Sequence, residues 1–330
     1  MAPLENAALI LQGGSFRCMF TAGALDVLME HGLWFSYVNG VSAGALTGCN
    51  YVSRQPGRTR KVNETFCTDP EFLSLRNRFR AGGVFNLPFL FRDVGERIPM
   101  DWETLLASPQ RFEAVATDCL TGLPAYFSKD EISREDFALA CMASASMPGF
   151  SDMIRIRGVP YLDGGCACPI AYQRGLDLGY GKLVVVLTRP AGYRTPPAKR
   201  SESRLWRRIY NRYPAFCRRL EAEEKTFNRQ FEELEQLERE GKAFLLRPTG
   251  RARVGRLERD PQRLEALYLE GRKVMLDALP ALREFLQTDV VVVAIILYAL
   301  LGKLADVSAQ LLERLWLRWN PAYHLKEATV

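Results

Sequence analysis

The stretch YVNGVSAGALTGCNYV, residues 37–52, decides the fold. Its first five residues are apolar or small, which is typical of a buried strand, and the residues after Ser42 indicate a helix that reaches about Val52. Only a short turn around Ser42 separates the two. A strand that passes directly into a helix predicts a parallel sheet whose strands are connected by helices.

The residues before this stretch show the same order. Ala7 to Leu11 form an apolar run that ends at Gln12-Gly13-Gly14, and a helical pattern follows up to Gly32, which is placed to cap the helix in the left-handed conformation. Two successive strand–turn–helix units predict an α/β domain with a mostly parallel central sheet.

The rest of the chain adds strands, helices and one long excursion. Residues 54–100 lack a regular pattern and carry the aromatic residues Phe85, Phe89 and Phe91, which we assign either to the core or to an apolar acyl site, in a segment that could form a lid. A charged helical pair is expected at 199–240. Further strands are predicted at 112–117, 125–128, 154–162 (a hairpin), 182–188 and 243–247, and helices at 135–143 and 261–279.

Composition and charge exclude several classes of protein. The chain has 330 residues, of which 48% are hydrophobic and 25% charged, values that fit a globular domain and not a disordered or fibrous chain. The net charge of +6 comes from 44 basic and 38 acidic residues, and the basic clusters are interleaved with acids. We therefore expect no nucleic-acid partner, and leave open an attraction to anionic lipid.

Cysteine and histidine usage bears on location and metals. The eight cysteines are sparse and the first residues lack an apolar signal core, so we expect a cytoplasmic protein with reduced thiols. Cys166 and Cys168 form a Cys-x-Cys pair, but His31 and His324 are the two histidines of the chain and neither lies near a second ligand cluster. We predict neither a metal site nor a cofactor.

Gly40 to Gly44 fit the pattern Gly-x-Ser-x-Gly in the context that the pattern requires, after a strand and before a helix. Glycines at Gly40 and Gly44 allow the strained turn, which leaves the hydroxyl of Ser42 clear at the helix N-terminus. Ser42 is therefore the candidate nucleophile. A serine needs a base, and the scarcity of histidine directs the search to carboxylates.

Asp163 is the best candidate for that base. It follows an apolar run and precedes Gly164 and Gly165, which let the backbone approach closely; an ordinary Asp-Gly turn is the equally weighted alternative. A third component is the loop Gln12 to Arg17, in which backbone N–H groups can hold an oxyanion while Arg17 adds charge or orients the loop. This loop fits neither nucleotide-binding glycine pattern.

These three components, in this order, resemble the patatin-like phospholipase family, in particular its bacterial branch of predicted acyl hydrolases. The resemblance extends over about residues 7–286, through Ala116-Thr117-Asp118, Ala143-Ser144 and Asp163-Gly164-Gly165. It implies a three-layer α/β/α fold over residues 1–286 and a Ser-Asp dyad that forms an acyl-enzyme with a lipid ester. Carried over by position, Ser42 is the nucleophile, Asp163 the base, and Gly13, Gly14 and Ser15 the oxyanion loop beside Arg17.

Two residues depart from the family pattern. Ser15 stands where the family usually has a third glycine, and Cys18 stands where it has a glycine after the arginine. Ser15 keeps its N–H donor if the loop does not need a positive φ angle there, whereas Cys18 narrows the approach. We therefore weigh three functions: a serine acyl hydrolase of phospholipid-type esters, a catalytically silent lipid-binding or scaffold protein, and a thioesterase or carboxylesterase.

The tail, residues 287–330, lies outside the resemblance. Its apolar run Val290 to Gly302 is too short for a bilayer span at about 1.5 Å per residue. Beyond it, Leu304, Val307 and Leu311 recur at helical spacing. We expect a helical tail over 289–330 that docks on the domain, forms a homodimer, or lies at the inner face of a membrane as a peripheral contact.

Overall fold

The computed structural model of the chain describes residues 3–80, 82–198, 200–252 and 254–316. The strands are β1 (Leu4–Leu11), β2 (Trp34–Val41), β3 (Arg111–Asp118), β4 (Pro124–Ser128), β5 (Ile154–Ile156), β6 (Val159–Asp163), β7 (Leu183–Val186) and β8 (Ala243–Leu246). The helices are α1 (Cys18–Glu30), α2 (Ala43–Val52), α3 (Arg58–Phe66), α4 (Asn77–Arg80), α5 (Leu87–Phe91), α6 (Asp93–Arg97), α7 (Trp102–Ala107), α8 (Arg134–Ser144), α9 (Tyr172–Asp177), α10 (Arg200–Ile209), α11 (Pro214–Arg239) and α12 (Pro261–Trp316). Two 3-10 turns, Ser15–Arg17 and Gly164–Cys166, complete the set.

The strands form one eight-stranded sheet with the order β5-β6-β3-β2-β1-β7-β8, and β4 pairs with β3. The five strands from β3 to β8 in this order are parallel to one another, whereas β4 and β6 run antiparallel to β3. All four residues of β7 are buried, as expected for a strand covered on both faces. The predicted mostly parallel sheet is confirmed.

Helices cover both faces of the sheet. On one face, Ile10 and Tyr37 pack with Tyr172 of α9 and Phe231 of α11 in a single buried cluster. On the other face, the ring of Phe112 packs edge-on against a phenylalanine of α8, and its edge also lies against α2. The three-layer α/β/α fold is confirmed.

The excursion between α2 and β3 contains the five short helices α3 to α7. Two isolated bridges fix it: Leu73 pairs with Phe85 within the segment, and Gly83 pairs with Ser151 outside it. Asn86 caps α5 by accepting the N–H of Phe89 at 3.1 Å. The segment is thus folded onto the domain and supplies one wall of the cavity described below.

The last helix corrects a predicted boundary. The sequence predicts a helix that ends at Leu279, but α12 continues through Pro280 to Trp316. Proline removes one backbone donor, and the helix nevertheless continues because alanine and leucine, both strong helix formers, flank it on either side. The chain divides into two compact units, and the second begins at Arg283.

The second unit exposes apolar side chains on α12. Leu300, Leu304 and Leu311 are 62%, 65% and 55% exposed, respectively. Among the helices of the described residues, none is both long enough and apolar enough to cross a membrane. The end of the predicted helical tail, residues 317–330 with His324, lies outside the described residues.

Candidate active site

Ser42 occupies the one residue between β2 and α2. Its backbone angles are φ 57° and ψ −129°, a region that L-residues rarely adopt. A Cβ atom added at Gly40 or Gly44 would lie 2.5 Å from a backbone atom of Ala45 or Leu11, so only glycine fits at either position. The sharp turn places Ser42 at the carboxyl edge of the sheet and at the N-terminus of α2, where the helix dipole favours negative charge.

The backbone of Ser42 is held by a residue to which sequence reasoning gave no role. The Ser42 N–H donates to the hydroxyl of Ser144 at 2.8 Å, and this hydroxyl donates to the carbonyl of Val115 at 2.6 Å. Ser144 is fully buried at the end of α8. Two successive hydrogen bonds therefore connect the strained turn to the central strand β3. A small polar residue at a helix end is a weak signal for such a function.

Strand register brings Asp163 beside Ser42. One edge of β3 pairs with β4. Along the opposite edge, β2 pairs with β3 as far as Val115, and β6 pairs with β3 from Ala116 onward. Val41 lies opposite Val115, and Asp163 lies opposite Ala116. Because β2 and β6 approach this edge from opposite directions, their carboxyl ends meet there. The last residue of β6 thus lies next to the turn that carries the serine.

The environment of Asp163 suits a general base. The residue is 7% exposed, and burial raises the pKa of its carboxyl group to about 6. Hydrogen bonds from the Ser42 side chain and from the N–H of Gly165, which lies 2.8 Å from Oδ1, oppose this rise. A carboxylate with a pKa near 6 is ionised at neutral pH and accepts a proton readily. Asp163 therefore forms the Asp-Gly turn and also lies close enough to Ser42 for the serine side chain to lower the pKa of its carboxyl group.

The glycines after Asp163 allow this close approach. A Cβ atom at Gly164 would lie 2.1 Å from the carbonyl oxygen of Val115, and one at Gly165 would lie 3.1 Å from Oδ1 of Asp163. The hydroxyl of Thr117 donates to the carbonyl of Asp163 at 2.8 Å. The backbone around Asp163 is therefore fixed from β3.

The loop after β1 lies against Ser42. A Cβ atom at Gly13 would be 2.8 Å from the Cβ of Ser42, and one at Gly14 would be 2.6 Å from Oγ1 of Thr188. Thr188 donates through its hydroxyl to the Gly13 carbonyl at 2.8 Å and through its N–H to Oε1 of Gln12 at 2.7 Å. No other described residue accepts the N–H of Gly13 or Gly14, which leaves these donors available to an oxyanion.

The two departures from the family pattern have visible consequences. Ser15 has a φ angle of 54°, so the loop does take the left-handed conformation there, contrary to the condition under which a serine would be free of strain. Its hydroxyl donates to the carbonyl of Arg256 at 2.7 Å. Cys18 is buried, and burial raises the pKa of its thiol to about 12. Cys18 is thus a neutral side chain of the cavity wall and not a competing nucleophile.

Positive charge surrounds the loop. Burial, followed by the neighbouring guanidinium groups of Arg189 and Arg256, lowers the pKa of Arg17 to about 10. The Nε atom of Arg17 is buried without a hydrogen-bond partner. Arg256 also lowers the pKa of Asp163. These charges favour the negative charge that develops when an ester carbonyl is attacked.

Sequence reasoning also missed a second carboxyl group in this region. Glu223 of α11 has a pKa that burial raises to about 7, while Arg256 lowers it and Asp163 raises it. Two acidic groups that sense the same arginine thus titrate near neutral pH.

A cavity of about 320 Å³ opens at Ser42. Its lining includes Ser15, Cys18 and Met147, and residues of α2 and of the excursion form much of its other walls. Phe85 and Leu87 are buried and line it, whereas Phe89 packs on Phe66 in the core and does not. Phe91 also lines the cavity, so the aromatic segment belongs partly to the core and partly to the cavity wall.

A bound metal ion would need a cluster of ligating side chains. Within the part of the chain that the structure describes, no group of three or more His, Cys, Asp or Glu side chains is arranged to hold a metal ion. Cys166 and Cys168 are both buried free thiols.

Comparison with known protein families gives two matches along the chain. Residues 9–172 match the family model described as Patatin-like phospholipase, and residues 213–287 match a model described as Domain of unknown function (DUF6363). Gly13, Ser42 and Asp163 all lie within the first match. Arg256 lies within the second, so the charged surroundings of Asp163 come from both matched regions.

Individual relatives are more distant. The chain is 31% identical over 195 residues to the Uncharacterized protein YjjU of Escherichia coli (strain K12). This match covers 57% of this chain and 54% of that protein. The chain thus matches about half the length of this curated relative. Among solved structures, VipD from Legionella pneumophila has a TM-score of 0.45 at 15% identity, covering 85% of this chain and 68% of that chain. The type III effector protein ExoU has a TM-score of 0.39 at 13% identity, with coverages of 87% and 54%.

Proposed function

Residues 9–172 are a patatin-like phospholipase domain, and from this premise we propose that the chain is a serine acyl hydrolase that cleaves lipid esters of the phospholipid type. The observation that carries the proposal is the strand register that places Asp163, with its buried carboxyl group, beside the strained turn of Ser42. Neither residue needs a histidine in this arrangement.

Acylation begins with Ser42. As its Oγ attacks the ester carbonyl carbon, the hydroxyl proton passes to the carboxylate of Asp163. The carbonyl oxygen becomes an oxyanion, which the N–H groups of Gly13 and Gly14 stabilise beside the positive charge of Arg17. The intermediate then collapses: the C–O bond to the alcohol breaks, and Asp163 returns the proton to the leaving oxygen.

Deacylation repeats these steps with water. Asp163 takes a proton from a water molecule, whose oxygen attacks the acyl-enzyme carbonyl and forms a second oxyanion in the same loop. The bond from the carbonyl carbon to Oγ of Ser42 then breaks, and the proton on Asp163 returns to Oγ. The products are a carboxylic acid and free enzyme, and no metal or cofactor takes part in the proposed cycle.

The cavity supports a lipid acyl group as the substrate. Phe16, Leu46, Phe72 and Phe85 line it and offer an apolar wall. A thioester or a small carboxylic ester would undergo the same chemistry, and comparison of phospholipid, thioester and short-chain ester turnover separates these substrates.

The test is reaction of the purified chain with a fluorophosphonate probe, read by intact mass. We expect wild type to gain one probe adduct, Ser42→Ala to gain none, and Asp163→Asn to react much more slowly while remaining folded. Full labelling of Ser42→Ala would contradict the assignment of the nucleophile. A folded wild type that is not labelled would favour the catalytically silent lipid-binding protein. The strained backbone of Ser15 and the side chain of Cys18, which narrows the approach to the loop, are the features that favour this alternative.

We also propose that the tail contacts a membrane surface peripherally. The exposed leucines of the second unit, including Leu300, Leu304 and Leu311, give its helix an apolar surface that needs a partner. Flotation with anionic liposomes should decrease in a Leu304→Glu/Leu311→Glu variant. If flotation is unchanged and sedimentation shows that the variant dissociates a homodimer, the apolar surface is a dimer contact instead.

A further inference from the structure

The cavity extends away from Ser42 along helix α2. Ser42, Leu46, Cys49 and Asn50 all line it, at the spacing of one helix face. Eight residues separate Ser42 from Asn50, so at 1.5 Å per residue the two ends of this wall lie about 12 Å apart. Between them the lining is largely apolar and includes Leu46, Val62 and Phe72.

The far end of the cavity is polar and carries the side chain of Arg58. Its Nη1 donates to Oδ1 of Asn50 at 2.9 Å, its Nε to the carbonyl of Pro99 at 3.0 Å, and its Nη2 to the carbonyl of Ile98 at 2.8 Å. A guanidinium group has five N–H donors. These three bonds hold Arg58 in place and leave two donors without an acceptor among the described residues.

The charge of Arg58 is not balanced within the cavity. The three groups that accept its hydrogen bonds are neutral, no described carboxylate pairs with it, and burial lowers the pKa of its guanidinium group. Arg134, whose guanidinium lies 5.1 Å from the ring centroid of Trp102, is a second cation in the lining. None of the described lining residues is Asp or Glu. Arg58 is half-buried, and charges withdrawn from water are normally paired, so the missing partner is expected to be an anion.

We propose that Arg58 and Arg134 form an anion subsite, and that the preferred esters have an acyl chain ending in a carboxylate about 12 Å from the scissile carbonyl. An extended chain advances about 1.2 Å per bond, so the acyl chain has roughly ten carbon atoms. The apolar wall holds the methylene groups, and the guanidinium group of Arg58 binds the terminal carboxylate. This inference rests on the proposed function of Ser42.

The first test compares two 4-nitrophenyl esters, the monoester of decanedioic acid and the ester of decanoic acid, which differ at the far end of the chain. We expect wild type to show a kcat/KM about tenfold higher for the decanedioic monoester, as a charged hydrogen-bonded pair provides. Arg58→Gln should reduce this ratio to about one. Arg218→Gln, which removes an exposed charge on α11, should retain the ratio of wild type. The 4-nitrophenyl monoester of hexanedioic acid is too short to reach Arg58, so its kcat/KM should not exceed that of the 4-nitrophenyl ester of hexanoic acid.

Different results separate this inference from the proposed function. Ser42-dependent hydrolysis of both esters with a wild-type ratio of one or less overturns the anion subsite and leaves the hydrolase intact. If neither ester is hydrolysed, calorimetric binding of monomethyl decanedioate, whose one carboxylate lies at the far end of the chain, decides: binding about tenfold weaker in Arg58→Gln supports the subsite, and equal binding overturns it. If Arg58→Gln does not fold, the kcat/KM ratio of the two esters is measured in Arg134→Gln instead. A ratio below that of wild type supports the subsite, and an unchanged ratio overturns it.

Discussion

The hydroxyl of Ser144 accepts the backbone N–H of Ser42 at 2.8 Å, so the proposed nucleophile takes its position from a side chain 102 residues away. This bond acts on a residue whose φ angle of 57° is unfavourable for serine. The strained turn is therefore not maintained by glycines alone. Ser144 is a positioning residue: it contacts the backbone of Ser42 and has no direct contact with a reacting atom.

Replacing Ser144 by alanine is expected to lower kcat by about tenfold to a hundredfold, because the Ser42 N–H loses its acceptor and the hydroxyl loses its alignment with Asp163. The buried N–H left unpaired should also cost about 1–3 kcal/mol in the free energy of unfolding. Ester turnover and urea unfolding measure the two effects.

Ser146→Ala is the matched control for that variant. Ser146 is equally buried just beyond the same helix, but its hydroxyl donates to the carbonyl of Met142 and not to the turn. We expect a loss of stability without a comparable loss of kcat. Equal losses of kcat in both variants would show that Ser144 acts through general stability and not through the position of Ser42.

The glycine at Gly44 is expected to be irreplaceable. A Cβ atom there would lie 2.5 Å from the carbonyl oxygen of Leu11, so Gly44→Ala forces β1 and α2 apart and should cost about 1–3 kcal/mol and most of the activity. Gly181→Ala is the control, since no atom lies within 4 Å of the added methyl group. A Gly44→Ala variant with the melting temperature and turnover of wild type would show that the turn has more room than the structure gives it.

The rate of hydrolysis should depend on the ionisation of Asp163. Since the base must be deprotonated, kcat/KM should rise with pH and reach half of its plateau near pH 6, the pKa of the buried carboxyl group. The pKa of Asp163 also depends on its neighbours: Ser42, the N–H of Gly165 and Arg256 lower it. The nearby carboxyl group of Glu223 interacts with Asp163 as a like charge. Glu223→Gln should leave the rise in place, whereas a profile that is flat between pH 5 and 8 would contradict the role of Asp163.

The same pKa predicts a change in stability. The pKa of Asp163 is about 6 in the folded chain and about 3.9 when unfolded, so ionisation of the folded carboxyl group costs free energy. This cost is absent below about pH 4 and complete above about pH 6. Asp163→Asn should therefore be more stable than wild type by about 2–3 kcal/mol at pH 7.5 and of similar stability at pH 4. Urea unfolding at the two pH values checks this difference.

Local patterns in the sequence predict much of the fold and one of the two residues of the candidate site, Ser42 on its turn. The strand, Ser42 and the helix after it are adjacent in sequence, so spacing alone identifies the turn. Asp163 could not be distinguished from an ordinary turn residue, because its approach to Ser42 depends on the pairing of β6 with β3. The roles of Ser144 and Thr188 depend on hydrogen bonds between residues 102 and 175 positions apart, which leave no local pattern.

The substitution at Ser15 offers a test of how the oxyanion loop tolerates a departure from glycine. Its φ angle of 54° costs a serine about 1–2 kcal/mol, while its hydroxyl gains a hydrogen bond to the carbonyl of Arg256. Ser15→Gly removes both contributions and should change stability little. Ser15→Ala keeps the strain and loses the bond, so it should be less stable than Ser15→Gly by about 1 kcal/mol. Because glycine restores the usual family residue without moving the N–H, turnover by Ser15→Gly should equal or exceed that of wild type. Lower turnover in Ser15→Gly than in Ser15→Ala would show that the loop needs a side chain at this position.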